Sequence, residues 1–313
     1  MKEYNTDILI AGCGFGGIAA ALSAAKAGCR VVVTEETDWI GGQATTQGVP
    51  LDEHPWIEQF GATASYRQFR NKIREYYRRN YPLTGNAQYD NHFNPGACWV
   101  SALGFEPRVG IGVLEEMLAP YRTNGLVQIW TRFRPISVDM NGDNCRAVAF
   151  RSTLTNEQRI VSAPYILDAT ELGELLALGN IEHIIGAESQ AQTGEPLAPE
   201  KANPMRQQPF THLVALDYCP GEEHIIEKPE NYEQYHSCFE KIRGMSSTTN
   251  AADVMCSSIP DGLFSKETAG RYTTSIWNFR RYFYRKNFDE RVFPSDVTSL
   301  MNGNEYHGGV LCG

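Results

Sequence analysis

The chain has 313 residues, 42% hydrophobic and 21% charged, a globular composition in which one large or two medium cores can be buried. A net charge of −9 and a pI near 5.4 argue against nucleic acid or an anionic membrane surface as the main partner. No apolar run approaches the roughly 20 residues needed to span a bilayer, and Met1-Lys2-Glu3-Tyr4-Asn5 lacks a signal-peptide layout. None of the eight cysteines stands at CxxC spacing or is interleaved with histidine as zinc sites require. We therefore expect a cytoplasmic protein with no metal, whose thiols act as small buried hydrophobes.

Asp7-Ile8-Leu9-Ile10-Ala11 is a short apolar run, the pattern of a strand buried on both faces. The Ala- and Leu-rich stretch 15–28 predicts a helix stopped by Gly28, and the β-branched run 30–35 a second strand. Together they make a β-α-β unit, the building block of a parallel sheet. Residues 60–79 read as a helix with Tyr66, Phe69, Ile73 and Tyr76 on one face. Its basic row (Arg67, Arg70, Lys72, Arg74, Arg78, Arg79) reads as a solvated face first and an anion site second.

Residues 81–101 are loop-like, and a helix starts at Pro107 with Val113, Leu114, Met117, Leu118 and Tyr121 as its apolar stripe. Short strands follow at 127–131, 136–140, 146–151 and 159–162, separated by turn signals such as Asn141-Gly142-Asp143-Asn144. Residues 165–168 return to the buried-strand pattern before a short helix near 172–178. Beyond Gly194 the periodicity weakens, and roughly 195–300 reads as a second domain.

Gly12-Cys13-Gly14-Phe15-Gly16-Gly17 matches GxGxxG in its full context: a buried strand before it, an Ala-rich helix after it, and an acid at the end of the next strand. Gly12 permits a tight turn, Gly14 lets a pyrophosphate approach the backbone, and Gly17 lets helix and strand pack closely. The helix start presents unpaired N–H groups and partial positive charge to phosphates. Glu35 stands where a carboxylate accepts both hydroxyls of an adenosine ribose and repels a 2′-phosphate. Glu36 is adjacent, and in an extended strand it points to the opposite side. A glycine-rich turn with no nucleotide is the duller alternative, and it leaves the strand–turn–helix–strand–acid order unexplained.

After Glu35 the chain runs Glu36-Thr37-Asp38-Trp39-Ile40-Gly41-Gly42-Gln43-Ala44-Thr45-Thr46-Gln47-Gly48. This resembles the glutathione-reductase-like flavoproteins, where a short connection and a GG pair follow the ribose acid. The resemblance implies FAD as cofactor, with Gly42, Gln43, Ala44 and Thr45 lying along it. A simple NAD-binding domain has no need of that segment. Asp168-Ala169-Thr170 resembles the flavoproteins' ATG region, a strand end meeting the cofactor after a three-stranded meander. The usual glycine after the threonine is Glu171 here.

Cys98-Trp99-Val100-Ser101, Phe105-Glu106-Pro107-Arg108, Gln208-Pro209-Phe210-Thr211 and Asn302-Gly303-Asn304-Glu305-Tyr306 extend the likeness. The chain thus resembles a bacterial FAD-dependent oxidoreductase family over most of its length. The implied fold is α/β: a Rossmann-like FAD/NAD(P)-binding domain with parallel sheet and β-meander over 1–194, carrying an insertion around 50–100. A substrate or cap region follows over 195–313. The family's closing strand with a Gly-Asp signature has no counterpart before Gly313, so a truncated final region is expected.

The implied activity is hydride transfer between an organic small molecule and flavin. An NAD-dependent dehydrogenase and a non-catalytic, truncated remnant are the alternatives, and a homo-oligomer is compatible with either. A flavin carries the redox chemistry itself, so catalytic side chains stay unassigned. Cys98 reads as structural before redox-active. Glu106 and Arg108 suit an anion site or a helix-end pair. His54, His92 and His212 suit acid–base roles only as lone histidines do, and Arg280-Arg281 beside Trp277, Tyr282 and Tyr284 suits a substrate cleft or an aromatic core equally.

Overall fold

The apolar run at residues 8–11 lies at the centre of a parallel sheet. The computed structural model describes residues 2–207, 210–219, 221–234, 276–300 and 305–306. Its first strands are β1 (Lys2–Asn5), β2 (Ile8–Ala11), β3 (Val31–Thr34) and β4 (Val127–Trp130). Next come β5 (Phe133–Asn141), β6 (Asn144–Ser152), β7 (Gln158–Ser162) and β8 (Tyr165–Asp168). The parallel sheet has the order β4-β3-β2-β8, with Ile8 opposite Val31 on one side and Tyr165 on the other. Chain order reverses beside β2, so a crevice opens at the carboxyl ends of β2 and β8. Leu9, Ile10 and Ala11 are fully buried because neither face of β2 carries a polar side chain. Residues 165–168 form the expected strand but at the sheet edge, where Tyr165 and Leu167 stay exposed.

Helix α1 (Phe15–Lys26) connects β2 to β3 and buries Gly17, Ile18, Ala21, Leu22 and Ala25. Gly28, at φ +86°, ends it in the left-handed conformation that glycine adopts without strain. A second sheet, in the order β1-β7-β6-β5, is the expected meander with one strand added. That addition, β1, pairs parallel to β7 through Lys2 and Arg159. Its side chains are mostly polar and exposed, so hydrophobic alternation carries no sign of it. Leu9, Val32, Trp130, Phe133, Val148, Phe150 and Val161 join the two sheets in one core. The Arg159 guanidinium lies 4.2 Å from the Phe133 ring centroid and 4.7 Å from that of Trp130, capping the cluster with a cation–π contact.

Helices α2 (Ala64–Asn80) and α4 (Pro107–Thr123) pack together, with the short α3 (Gly85–Tyr89) inside the stretch expected to be loop. Thr63 caps α2 by accepting from the Tyr66 N–H, and Phe69, Ile73 and Tyr77 form its buried stripe. The basic row is not a solvated face. Arg70 and Arg74 are buried, because Glu53 and Glu58 in the preceding segment supply countercharge: Arg70 pairs with both, and Arg74 with Glu58. Lys72 and Arg79 take the expected outer role, pairing with Glu116 at 2.7 and 3.2 Å.

The chain divides into two compact units, 1–81 with 105–183 and 82–104 with 184–313. Residues 82–104 belong to the second because main-chain bonds tie Thr84 to Asn287 (3.0 Å) and Tyr284 to Pro95 (3.0 Å). In that unit β10 (Val214–Tyr218), β11 (Arg281–Phe283) and β12 (Asp296–Leu300) form an antiparallel sheet in the order β10-β12-β11. Phe283 stacks on Phe288 at 4.0 Å in its core. Of the two later family-like segments, Gln208-Pro209 and Asn302-Gly303-Asn304 lie outside the described residues. Phe210–Thr211 (β9) pairs antiparallel with Glu305–Tyr306 (β13). No helix among the described residues is long and apolar enough to cross a membrane.

Two stability predictions follow from the α2 region. Removing one partner of a buried ion pair leaves the other charge uncompensated, so Arg70→Met should lower unfolding free energy by about 3–5 kcal/mol in urea melts. Glu106 accepts from the hydroxyls of Tyr77 and Tyr81, both at 3.1 Å. Burial raises its pKa above the usual carboxylate value, and the two tyrosine bonds only partly oppose this. A carboxyl raised in the folded state contributes stability at low pH and loses it as pH rises through the folded pKa. Glu106→Gln keeps the acceptor without the charge, so its stability relative to wild type should rise as pH climbs from the ordinary glutamate range toward neutrality. A constant difference across that range would contradict the assignment.

Candidate functional site

The site is built from main-chain contacts at the end of β2. Gly12 leaves the strand at φ +100°, its N–H donating to the Thr34 carbonyl at 3.0 Å. Ala169, just past β8, donates to the Ala11 carbonyl at 2.7 Å. A Cβ on Gly12 would stand 2.0 Å from the Ala169 oxygen, and one on Gly17 would stand 2.1 Å from the Gly12 oxygen. Both positions therefore require glycine for close approach. Gly14 and Gly16 differ. A Cβ on Gly16 meets nothing within 4 Å, and one on Gly14 meets only Glu171 Oε1 at 3.4 Å and the Gly42 Cα at 3.9 Å. Their free faces border the start of α1, where Gly14 supplies no side-chain cap and Phe15 opens the helix.

Glu35 follows β3 and is buried. Its carboxylate accepts from the Cys13 N–H at 3.2 Å and from the N–H and hydroxyl of Thr37 at 3.0 and 2.8 Å. These bonds hold it beside the glycine turn. Glu36 does not turn away, because β3 has already ended at Thr34 and strand alternation no longer applies. It lines the same cleft as Gly12, Glu35, Ala169, Thr170 and Glu171. Partial burial, then the charges of Glu174, Glu35 and Glu171, raise its pKa against an opposing Arg134.

The Gly41–Thr45 segment curls against the glycine turn, with the Gly41 N–H donating to the Cys13 carbonyl at 2.8 Å. Gly42, at φ +53°, approaches so closely that a Cβ on it would stand 2.9 Å from the Gly14 Cα. Ala44 and Thr45 are buried, and the Thr45 hydroxyl donates to the Ile40 carbonyl at 2.6 Å. Gln43 is exposed. This segment thus meets the glycine turn through its backbone and Gly42, while the side chains of Ala44 and Thr45 turn into the protein. Asp168 accepts from the Thr170 N–H at 3.0 Å, from its hydroxyl, and from the Leu175 N–H at 3.0 Å. It shapes the turn into α5 (Glu174–Leu178). Thr37 and Gln47 escape sequence reading, because only folding brings Thr37 onto Glu35 and Gln47 onto Glu171.

These residues fit the adenosine diphosphate half of a dinucleotide. The free faces of Gly14 and Gly16 and an uncapped helix start suit phosphate oxygens, and the neighbouring carboxylate of Glu35 suits ribose hydroxyls.

The other sequence candidates have structural partners. The Cys98 thiol is buried, donates to the Phe279 carbonyl at 3.1 Å, and is pushed by burial up to about 11. Burial, then the Glu35 charge, raises the Cys13 thiol as well. His54 stacks on Phe60 and accepts from the Trp56 N–H at 3.2 Å. Arg108 lies over the Trp39 ring. Arg281 is a core residue, pairing with Asp296 at 3.0 Å and donating to the Gly96 carbonyl at 2.7 Å. Although cysteine–histidine spacing argues against metal, Cys219, Glu222 and His224 bring one ligand atom each within 4.8 Å in a largely exposed turn.

Comparison with known proteins gives a family match over residues 7–307, to the family described as FAD dependent oxidoreductase. Hydroxyneurosporene desaturase of Rhodobacter capsulatus is 47% identical over 56 residues, 17% of this chain and 11% of the desaturase. Among solved structures, Mycobacterium smegmatis Sdh1 in complex with UQ1 is 10% identical at TM-score 0.38, covering 54% of this chain and 34% of that one. The myxobacterial chondrochloren halogenase CndH is 20% identical at TM-score 0.34, covering 53% and 37%. A geranylgeranyl bacteriochlorophyll reductase-like protein of Thermoplasma acidophilum is 19% identical at TM-score 0.35, covering 57% and 43%. The chain therefore spans less than half the length of each of these relatives.

The glycines separate into two classes by experiment. Gly17→Ala forces a methyl into the Gly12 carbonyl and should cost about 1–3 kcal/mol or more in stability. Gly14→Ala, whose methyl makes only ordinary contacts with Glu171 and Gly42, should melt within about 0.5–1 kcal/mol of wild type. Equal losses at both positions would contradict the contacts described.

Proposed function

The chain belongs to the FAD dependent oxidoreductase family, and from that premise we propose that it transfers a hydride between a small organic substrate and FAD held in the β2–β8 cleft. The fold is α/β, with a parallel sheet of the FAD-binding Rossmann-like type, and FAD is the family's cofactor. The observation carrying the site assignment is the pairing of the free faces of Gly14 and Gly16 with the Glu35 carboxylate at the next strand end.

In this reading Glu35 accepts the adenosine ribose hydroxyls, and the bonds from Cys13 and Thr37 keep its carboxylate aimed at them. Gly14, Phe15, Gly16 and the start of α1 receive the diphosphate, which the helix's partial positive charge stabilises. Gly12 and Gly17 act indirectly by letting turn, helix and β8 close up. The backbone at 42–45 and at Ala169-Thr170 guides the remainder of the cofactor, while Asp168 fixes the turn that presents it. When bound, FAD supplies the hydride-accepting centre, and the protein contributes position and polarity. The unit containing 184–313 is read as the substrate-facing part of a cytoplasmic enzyme.

The test is an absorbance spectrum of the purified chain with mass identification of any released cofactor. Stoichiometric FAD is expected, and released NAD or no bound nucleotide would overturn the reading. Gly14→Val should stay folded by circular dichroism and lose flavin, since its branched side chain fills the phosphate approach; normal flavin content would displace the phosphate from Gly14.

A further inference from the structure

We propose that Glu171 is a displaceable latch on the phosphate end of this cleft, its carboxylate standing where a diphosphate must lie and exchanging with it for Gln47. The proposal rests on the FAD reading above. Glu171 Oε2 accepts from Gln47 Nε2 at 2.7 Å. Its other oxygen lies 3.4 Å from the position a Cβ on Gly14 would take and 3.2 Å from that of one on Gly42. It therefore sits where Gly14 and Gly42 approach each other, before the uncapped start of α1. A carboxylate there meets the same partial positive charge that a phosphate would use. The two anions cannot share the position, and even displaced they repel each other across a short distance.

The surroundings sharpen this conflict. Glu35, Glu36 and Glu174 line the same cleft, so an arriving diphosphate meets further negative charge. The backbone beneath Glu171 is anchored: Ala169 bonds to Ala11, and Asp168 holds Thr170 and Leu175. The Glu171 side chain is exposed, and Gln47 is its hydrogen-bond partner among the described residues. It can thus swing outward without unfolding the turn. Once released, the Gln47 amide is a free donor facing the phosphate position, so one hydrogen bond is exchanged for another as the ligand enters.

The experiment titrates the purified chain, freed of flavin, with FAD, ADP and adenosine, following flavin fluorescence directly and by competition. Wild type, Glu171→Gln and Glu171→Ala are compared, with melting curves confirming that these exposed substitutions leave the fold intact. Removing one like charge near contact should tighten FAD and ADP by about tenfold and leave adenosine, which has no phosphate, unchanged. Gln47→Ala, which removes the donor taken up by the ligand, should weaken FAD and ADP binding. Equal FAD affinity in wild type and Glu171→Gln, or an equal gain for adenosine, overturns the latch while the FAD reading stands. A gain for ADP without FAD binding supports the latch and removes the FAD reading. Failure of every protein to bind either phosphate ligand overturns both.

Discussion

The contact on which the rest of the first unit depends is between main-chain atoms at the end of β2. Gly12 lies against the Ala169 carbonyl, and Gly17 lies against the Gly12 carbonyl, both closer than any side chain permits. This brings a strand end, a helix start and a second strand end to one point. The Gly42 turn closes on the same spot from another side. Because main chain forms this junction, the cleft opens at Gly12, next to a helix start that carries no side-chain cap. Fold and site share one steric requirement, so a change that disturbs the turn disturbs both.

Electrostatics works partly against that geometry. The helix start favours an anion, yet Glu35, Glu36, Glu171 and Glu174 border the cleft. Glu35 is held by donors from Cys13 and Thr37, whereas partial burial, and then the neighbouring carboxylates, raise the pKa of Glu36. Away from the cleft, α2 manages charge differently. Arg70 and Arg74 sit inside the protein with Glu53 and Glu58, where breaking a pair costs far more than the pair itself contributes. That cluster lies near the aromatic packing of Phe69 on Phe15, whose ring centroids are 5.2 Å apart. Through α2 it ties the segment before that helix to Phe15, the first residue of α1.

Local sequence determined much of this protein. The doubly buried run at 8–11, the Ala-rich helix after Gly14, the β-branched run at 31–34 and the meander all carry their periodicity in the residues themselves. The order of glycines marked the turn after β2 and the close approaches at Gly12 and Gly17, because these leave glycine no substitute. Tertiary structure decided the rest. Whether Arg70 faces water depended on carboxylates that folding brings onto its helix. β1 depended on main-chain bonds from β7 that no side-chain pattern records. The side Glu36 takes depended on where β3 ends, and the inward turn of Thr45 on a carbonyl at Ile40. Glu171 was visible as a departure, but its place before Gly14 came from a contact with Gln47, 124 positions away. Periodicity reports a residue's relation to its own element, whereas partners from distant segments are chosen only when those elements pack.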